Sequence, residues 1–329
     1  MSDLHRRKIY VAGHRGLAGS ALLRRFREHG CENLVTRTHG ELDLCDGSAT
    51  RQFFQAERPE IVVLAAAKVG GILANIDYPA EFVRENLAIQ TNVIHEAWLS
   101  GADRLLFLGS SCIYPKLAPQ PLRETALLSG PLEPTNRAYA LAKIAGVEMC
   151  WSYNRQYGTK FLTVMPTNLY GRGDNYDLLT SHVVPALLRK FHEAKAAGAG
   201  SVSVWGSGQP RRELLYADDM ADACVHLLAQ SDEVFGRLLG SDEAKSGVFD
   251  PPLVNIGTGQ DISIRSLAEH IGQTVGFAGQ VEFDGSKPDG TPQKLLDVSK
   301  LTGLGWAAKT DLREGLRLAY LDFLSVARA

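Results

Sequence analysis

The fold is decided by residues 8–19, KIYVAGHRGLAG, where a short apolar run leads straight into three glycines. The apolar run predicts a buried strand, and the amphipathic segment 17–30, closed by a glycine, predicts a helix. Gly13, Gly16 and Gly19 stand between them, where a chain needs a tight turn, close backbone approach to a ligand and close helix–strand packing. Because a helix N-terminus also offers free N–H groups, the stretch predicts a site for the diphosphate of a dinucleotide.

Further apolar, β-branched segments extend this pattern and predict strands at residues 33–38, 60–67, 104–110 and 160–166. Helical patterns connect them at about 79–99 and 137–157. Near-continuous apolar runs, without alternation, indicate strands that are buried on both faces of a sheet. We therefore predict an α/β protein built on a Rossmann-type doubly wound parallel sheet.

The sequence pattern changes after residue 170, where one long helical pattern and a short predicted strand are followed by loops rich in Gly, Pro and Asp. This change predicts a dinucleotide-binding domain over 1–170 and a smaller, mostly C-terminal substrate domain over 171–329. Segments near 215–230 and 254–259 are expected to return to the first domain. The polar stretch 236–252 is expected to be a surface insertion.

Composition excludes several classes of protein. With 35 basic and 37 acidic residues, the chain has no charge excess that would favour nucleic acid or an anionic membrane. No apolar run reaches the roughly 18 residues of a membrane span, and the N-terminus shows no signal-peptide pattern. The nine histidines form no HExxH motif, so no metal is expected. Five cysteines without a CxxC pair indicate reduced thiols and a cytoplasmic protein: Cys31, Cys45, Cys112, Cys150 and Cys224.

The end of the second predicted strand bears on which cofactor is bound. An enzyme that uses NAD usually carries an acid there for the ribose 2′-OH, whereas here Arg37 and His39 follow the strand and Arg15 lies in the glycine turn. Guanidinium groups suit a 2′-phosphate, which favours NADP(H). Two alternatives stay open: Arg37 as a solvated surface charge, and Glu41 or Asp43 as a ligand of NAD.

The segment YALAK places Tyr139 and Lys143 four residues apart, on one face of a helix. A free tyrosine has a pKa of about 10, and a nearby ammonium is expected to lower it. Ser110 ends a predicted parallel strand, at the sheet edge where such folds bind ligands, and can donate to a carbonyl oxygen. A YxxxK pair alone is common by chance, but behind a glycine turn and a strand-end serine it predicts catalysis.

Cys112 follows in the stretch GSSCIYP, and its position allows two interpretations. A free thiol is most often a small buried side chain. Two residues past a strand-end serine, it can also point into the same crevice and act as a base, since positive charge raises the thiolate share.

The combination of motifs resembles the extended short-chain dehydrogenases/reductases that act on nucleotide sugars. The likeness spans nearly the whole chain and includes AGHRGLAGSA, AAAKVGGI, LGSSCIYPK, LEPTN, YALAKIAG, SYNRQYG, VMPTNLYG, SHVVPALLRKFHEA, VWGSG and KPDGTP. Within that family it implies the chemistry of a GDP-linked 4-keto-6-deoxy sugar, with epimerisation at C3 and C5 and NADPH-dependent reduction at C4.

The resemblance assigns roles to residues in this chain. It implies that Ser110, Tyr139 and Lys143 form the reductase triad, and that Cys112 and His182 are the epimerisation base and acid. It places further cofactor contacts at Leu44, Leu108, Ser110, Lys143, Pro166, Leu169 and His182. It places the GDP moiety at Lys190, Trp205, Arg212 and Asp289. It also implies a homodimer that packs through helices 79–99 and 137–157.

Judged by the residues alone, some of these positions have ordinary structural explanations: Trp205 as core, Arg212 as a solvated charge like its neighbour Arg211, and His182 as a structural histidine. Other activities also compete. A 4,6-dehydratase would need an acidic pair after the serine, where this chain has Ser111 and Cys112, and a 4-epimerase needs no second acid–base pair. A non-catalytic NADP-sensing protein would not need to keep the tyrosine and the lysine together.

Overall fold

The computed structural model of the protein describes residues 4–178, 180–287 and 289–327. Six parallel strands form the main sheet, in the order β2-β1-β3-β4-β5-β9. Their bounds are β1 Ile9–Ala12, β2 Leu34–Val35, β3 Ile61–Leu64, β4 Arg104–Leu108, β5 Lys160–Pro166 and β9 Leu253–Ile256. The five strands predicted in the first half are thus confirmed, and the segment that begins at residue 254 returns to the sheet as predicted.

Both faces of this sheet are buried because successive residues of a strand point to opposite sides. On β1, Ile9 and Val11 join one apolar cluster, while Tyr10 and Ala12 join another. Burial on both faces explains why the strands read as continuous apolar runs. The predicted doubly wound parallel fold is confirmed.

Helices cover the two faces of the sheet. The helices in this part of the chain are α1 Leu17–Glu28, α2 Gly47–Glu57, α3 Ile72–Asp77, α4 Pro79–Leu99 and α5 Arg137–Tyr157, and later α7 Ala217–Leu228. Helices α1 and α7 pack on one face, and α2, α4 and α5 on the other. Sequence reasoning did not identify α2, although Asp46 caps it by accepting from the N–H groups of Ser48 and Ala49.

The rest of the chain builds smaller sheets beside the main one. These are a four-stranded sheet of β6, β8, β10 and β12 and a two-stranded pair of β7 and β11. Their bounds are β6 Asn168–Tyr170, β7 Ser201–Trp205, β8 Arg211–Tyr216, β10 Asp261–Ser263, β11 Gln280–Asp284 and β12 Gln293–Lys294. The remaining helices are α6 Val183–Ala196, α8 Asp232–Arg237, α9 Glu243–Ser246, α10 Ile264–Val275, α11 Ser299–Gly303 and α12 Leu312–Ala327.

A separate apolar cluster holds α6, α10 and α12 against these smaller sheets. Residues 243–248 are exposed, in agreement with a polar surface insertion. No helix in the described part of the chain is long and apolar enough to cross a membrane. The division into two domains near residue 170 stays a prediction.

Candidate active site

The glycine turn between β1 and α1 is as tight as its sequence predicts. Gly13 has a φ of +82°, and a Cβ there would lie 2.6 Å from the backbone nitrogen of Ala66. At Gly19 a Cβ would lie 2.1 Å from the carbonyl oxygen of Gly13. A Cβ on Gly16 would meet only that same carbonyl oxygen, at 3.6 Å, so this glycine leaves room above the turn. With α1 beginning at Leu17 and its first N–H groups uncapped by a side chain, the turn fits a dinucleotide diphosphate.

The charged residues beyond β2 differ in how much of their side chain is available to a ligand. Arg37 pairs with Glu57 at 2.5 Å and stacks over the ring of Phe53, so it is not simply a solvated charge. Arg15, in the glycine turn, forms no hydrogen bond or ion pair with any described residue. His39 is 85% exposed, and its Nδ1 lies 3.8 Å from a carboxylate oxygen of Asp43. Arg15 is therefore the cation best placed to meet a 2′-phosphate.

Ser110 lies just past β4 and joins the other catalytic candidates. Its hydroxyl opposes the rise that burial causes in the pKa of Cys112 and in that of Tyr139, which places it beside both groups. Cys112 lies in a short 3₁₀ turn over Ser111–Ile113, is 6% exposed, and packs in an apolar cluster with residues of α5. The structure thus gathers a hydroxyl, a thiol and a phenol at the carboxyl end of a central strand, where parallel sheets bind ligands.

Lys143 completes this cluster from the next turn of α5. Its Nζ donates to the carbonyl oxygen of Leu108 at 2.8 Å, and it lies 4.6 Å from the ring centroid of Phe107 and 5.8 Å from that of Tyr139. Burial lowers the pKa of Lys143 to about 8. Tyr139 packs edge-on against Phe82, with ring centroids 6.2 Å apart.

The pKa of Tyr139 differs from the sequence-based expectation. The sequence predicts that Lys143 lowers it, but burial raises the pKa of Tyr139, Cys112 adds to that rise, and the neighbouring hydroxyl of Ser110 opposes it. The physical reason is desolvation, which disfavours the phenolate, while the ammonium of Lys143 is directed to the carbonyl of Leu108. A tyrosine that keeps its proton can donate it, so the site suits a general acid.

His182 comes from a different element, as the last residue before α6. The segment just before it contacts the loop of the AAAKVGGI motif, where the N–H of Gly71 donates to Thr180 at 3.2 Å. The residue as a whole is exposed, but the protein around its imidazole excludes part of the solvent, and this desolvation lowers the pKa of His182. Among the described residues, no hydrogen bond or ion pair joins it to Cys112, so its predicted role as the acid stays a prediction.

The other predicted cofactor contacts lie on several different elements. Leu108 is the last residue of β4 and Pro166 that of β5, both at the carboxyl edge. Leu169 pairs with Leu215 across β6 and β8. Leu44 is 8% exposed in the core beneath α2 and α4, where its carbonyl accepts from Asn92.

Trp205 stands at the end of β7 and is 58% exposed, which excludes the interpretation as core. The Nζ of Lys190 and that of Lys287 each lie 5.6 Å from its ring centroid. An exposed indole flanked by two ammonium groups can stack on a base and attract a diphosphate.

Arg212 lies on β8, seven residues after this tryptophan, and differs from its neighbour Arg211. Arg211 is exposed and pairs with Asp261, whereas Arg212 donates to the carbonyl of Thr291 at 2.6 Å, and burial lowers its pKa. Both oxygens of Asp289 accept from Ser207, so Asp289 holds the loop that follows Trp205. Arg212 is thus the better candidate of the two arginines for a diphosphate.

Comparison with known proteins agrees with this geometry. A model of the NAD dependent epimerase/dehydratase family matches residues 9–237. The chain belongs to this family.

Relatives in the family match over almost the whole chain. The GDP-L-fucose synthase of Escherichia coli strain K12 is 52% identical over 321 residues, with 98% of each chain covered. GDP-L-fucose synthase 1 of Arabidopsis thaliana is 55% identical over 313 residues, which cover 95% of this chain and 92% of the relative. Among solved structures, a GDP-mannoheptose C4 reductase from Campylobacter jejuni with NADP bound is 40% identical with a TM-score of 0.86, and the match covers 97% of this chain and 99% of that one.

Two lysines of this family member were missed by sequence reasoning. Lys287 belongs to the KPDGTP motif and flanks Trp205, and Lys294 follows the motif and lines a small cavity with Cys112. The motif itself was a signal that the segment approaches the site. That Lys294, which follows the motif, reaches the site depends on how β12 pairs with β8.

Proposed function

We propose that the protein is a GDP-L-fucose synthase, which epimerises C3 and C5 of GDP-4-dehydro-6-deoxy-D-mannose and reduces C4 to give GDP-L-fucose. The observation that carries this proposal is that Cys112 and Tyr139 pack in one cluster just past β4, beside the hydroxyl of Ser110, which acts on both. The phenol and the hydroxyl can both donate a hydrogen bond to one carbonyl oxygen, and the adjacent thiol, as a thiolate, can remove a proton from the carbons beside that carbonyl. The relatives named above support the choice of sugar.

Epimerisation begins with the loss of a proton next to the keto group. The Cys112 thiolate takes the proton from C3 or C5, and the electron pair moves onto the C4 oxygen as an enolate. Ser110 and Tyr139 hydrogen-bond that oxygen and stabilise its charge. Because His182 is supplied by a different element from Cys112, it can return a proton to the opposite face of the carbon.

Reduction at C4 uses the same oxygen contacts. When bound, NADPH supplies the hydride that C4 accepts. The chain's part is to hold the cofactor diphosphate at the glycine turn, to keep the carbonyl polarised through Ser110, and to give the proton of Tyr139 to the oxygen. Lys143 lies beside the phenol and, with its Nζ bound to the carbonyl of Leu108, contributes a buried positive charge to the site.

The GDP moiety is proposed to lie on Trp205, with Lys190, Lys287 and Arg212 around its phosphates. Arg212 presents a planar fork that can bind a phosphate in two places, while the lysines act as point charges.

We also propose a homodimer in a reducing compartment, the cytoplasm. The face formed by α4 and α5 exposes Leu99, Leu141 and Tyr157, and Tyr157 stacks on Trp98 with ring centroids 4.0 Å apart. A second copy of the chain would cover these apolar side chains. All five cysteines are free thiols, which supports the compartment.

The test of the function is a reaction with GDP-4-dehydro-6-deoxy-mannose. NADPH should be oxidised in equal amount with the sugar consumed, and the product should be GDP-L-fucose. Formation of GDP-rhamnose or GDP-6-deoxytalose, which keep the original C3 and C5 configurations, would show a reductase without epimerase activity. A 4-epimerase would instead convert a GDP-sugar that carries a C4 hydroxyl into its C4 epimer, without net oxidation or reduction of the cofactor.

The position of Arg15 leads to a prediction about the cofactor. NADPH should bind at least tenfold more tightly than NADH, about 1.4 kcal/mol, and Arg15→Ala should lose most of that preference. Arg27→Ala removes an exposed arginine from α1, outside the glycine turn, and should leave the preference unchanged. Fluorescence titration with each cofactor gives the two dissociation constants, and their ratio is the preference. Equal affinities in the unsubstituted protein would contradict the NADP assignment.

A further inference from the structure

Lys294 is a cation that the proposed mechanism does not use. It lines a small cavity together with Cys112, and the same cavity is bordered by Lys116, Glu133 and Thr291. The Lys294 ammonium forms no hydrogen bond or ion pair with any described residue, and burial lowers its pKa, although Glu133 at the same cavity opposes this shift. An ammonium that has lost much of its water without a directly bound anion is costly to hold, unless an anion forms beside it.

The backbone around Lys294 is firmly held by β-pairing and buried hydrogen bonds. On β12 it stands opposite Arg212 of β8. Two residues on, the N–H of Leu296 donates at 2.8 Å to the buried carboxylate of Glu213. The N–H of Leu122 donates at 2.7 Å to the carbonyl of Leu295, which joins this strand to the loop beyond Cys112. The side chain therefore approaches the thiol from a fixed strand.

Other charges near the thiol are already engaged or lie elsewhere. Lys116 pairs with Glu133 at 2.9 Å, so its charge is compensated. Lys143 is a second cation that acts on Cys112, but its Nζ is bound to a carbonyl oxygen. The remaining groups that face the pair are the hydroxyls of Ser110 and Tyr139 on the thiol, and the guanidinium of Arg212 and the carboxylate of Glu133 on Lys294.

These contacts define the charge balance of the site. Burial raises the pKa of the Cys112 thiol, and Lys294 is the strongest of the groups that oppose this rise. In turn, Cys112 raises the pKa of Lys294. The interaction is reciprocal because a thiolate and an ammonium stabilise each other when both are removed from water.

We propose that Lys294 is a positioning residue for epimerisation, whose ammonium stabilises the Cys112 thiolate and so sets the share of protein with a base ready to act. The role rests on the proposed function. The thiol gives its proton to solvent, and the resulting ion pair carries no net charge. The thiolate then takes the C3 or C5 proton and becomes a thiol again.

The first test needs no substrate, so it separates this proposal from the proposed function. The ultraviolet absorbance of thiolate is followed against pH, and the same titration of Cys112→Ser is subtracted. In Lys294→Met the Cys112 titration should move up by about one pH unit, which is tenfold less thiolate at neutral pH. Lys294→Arg keeps a cation and should restore most of the shift, and Lys116→Met, at the same cavity, should leave the titration unchanged.

The second test measures epimerisation of the keto sugar by each variant that still binds NADPH. Deuterium entry at C3 and C5 should slow by up to about tenfold in Lys294→Met at neutral pH and recover as pH rises. NADPH affinity, which should be unchanged, verifies that each variant is folded. An unchanged thiol titration in Lys294→Met would overturn the proposal. So would deuterium exchange that is slower in Lys294→Met but is restored by a saturating concentration of the GDP-sugar, because Lys294 would then serve substrate binding. If Lys294→Met does not fold, Lys294→Gln provides the same comparison.

Discussion

Tyr139→Phe is expected to lose C4 reduction by about 10²-fold or more while NADPH binding is retained. The phenol is the group that can donate a proton to the C4 oxygen, and a positioned general acid contributes on this scale. Phenylalanine keeps the ring packed against Phe82, so the loss belongs to the hydroxyl. The measurement is NADPH oxidation with the keto sugar, combined with deuterium entry at C3 and C5, which should continue.

The matched control is Tyr153→Phe on the same helix. Its hydroxyl is bonded to His95 at 2.8 Å, outside the catalytic cluster, and its removal should leave reduction near the original rate. A Tyr139→Phe protein that reduced C4 as fast as the unsubstituted protein would remove this tyrosine from the mechanism.

The same reaction should depend on pH through Lys143. Since burial lowers the pKa of Lys143 to about 8, the side chain is a cation below that value and loses its charge as pH rises through it. Reduction should therefore fall above about pH 8, provided that the chemical step limits the rate. In Lys143→Met the reaction should be slower, and this fall should be absent.

Cys112→Ser is expected to abolish most of the deuterium entry at C3 and C5, by about 10²-fold or more. A serine hydroxyl is a far weaker acid than a thiol, so the base would be missing at neutral pH. Serine has nearly the same size and keeps the contact with Ser110, and NADPH should bind as before. Nuclear magnetic resonance of the sugar in D₂O follows each carbon separately.

A matched control exists at Cys31, which is also buried and donates to the carbonyl of Leu4. Cys31→Ser keeps that donor and should exchange both positions normally. Together, Cys112→Ser and Tyr139→Phe should separate the two stages, one losing exchange and the other losing reduction. Normal exchange in Cys112→Ser would mean that this cysteine is a packing residue.

Much of the architecture could be predicted because the signals are local. A strand buried on both faces requires an apolar run. The turn requires glycine at position 13, because a Cβ there would lie 2.6 Å from a neighbouring backbone nitrogen. The same holds for Tyr139 and Lys143, because four residues on a helix place two side chains on one face. Ser110 was identified for a similar reason, because it lies just past the end of a central strand.

Other features were decided only by tertiary structure. The direction of the Tyr139 pKa depends on burial by distant parts of the chain. Trp205 is open to solvent because of where β7 ends, and Asp289 holds Ser207 through a contact between loops far apart in sequence. Lys294 reaches Cys112 because β12 pairs with β8 in one register. A sequence shows which residues can ionise. Desolvation and neighbouring charges arise only when the chain packs, and these two effects decide which of those residues are charged at a given pH.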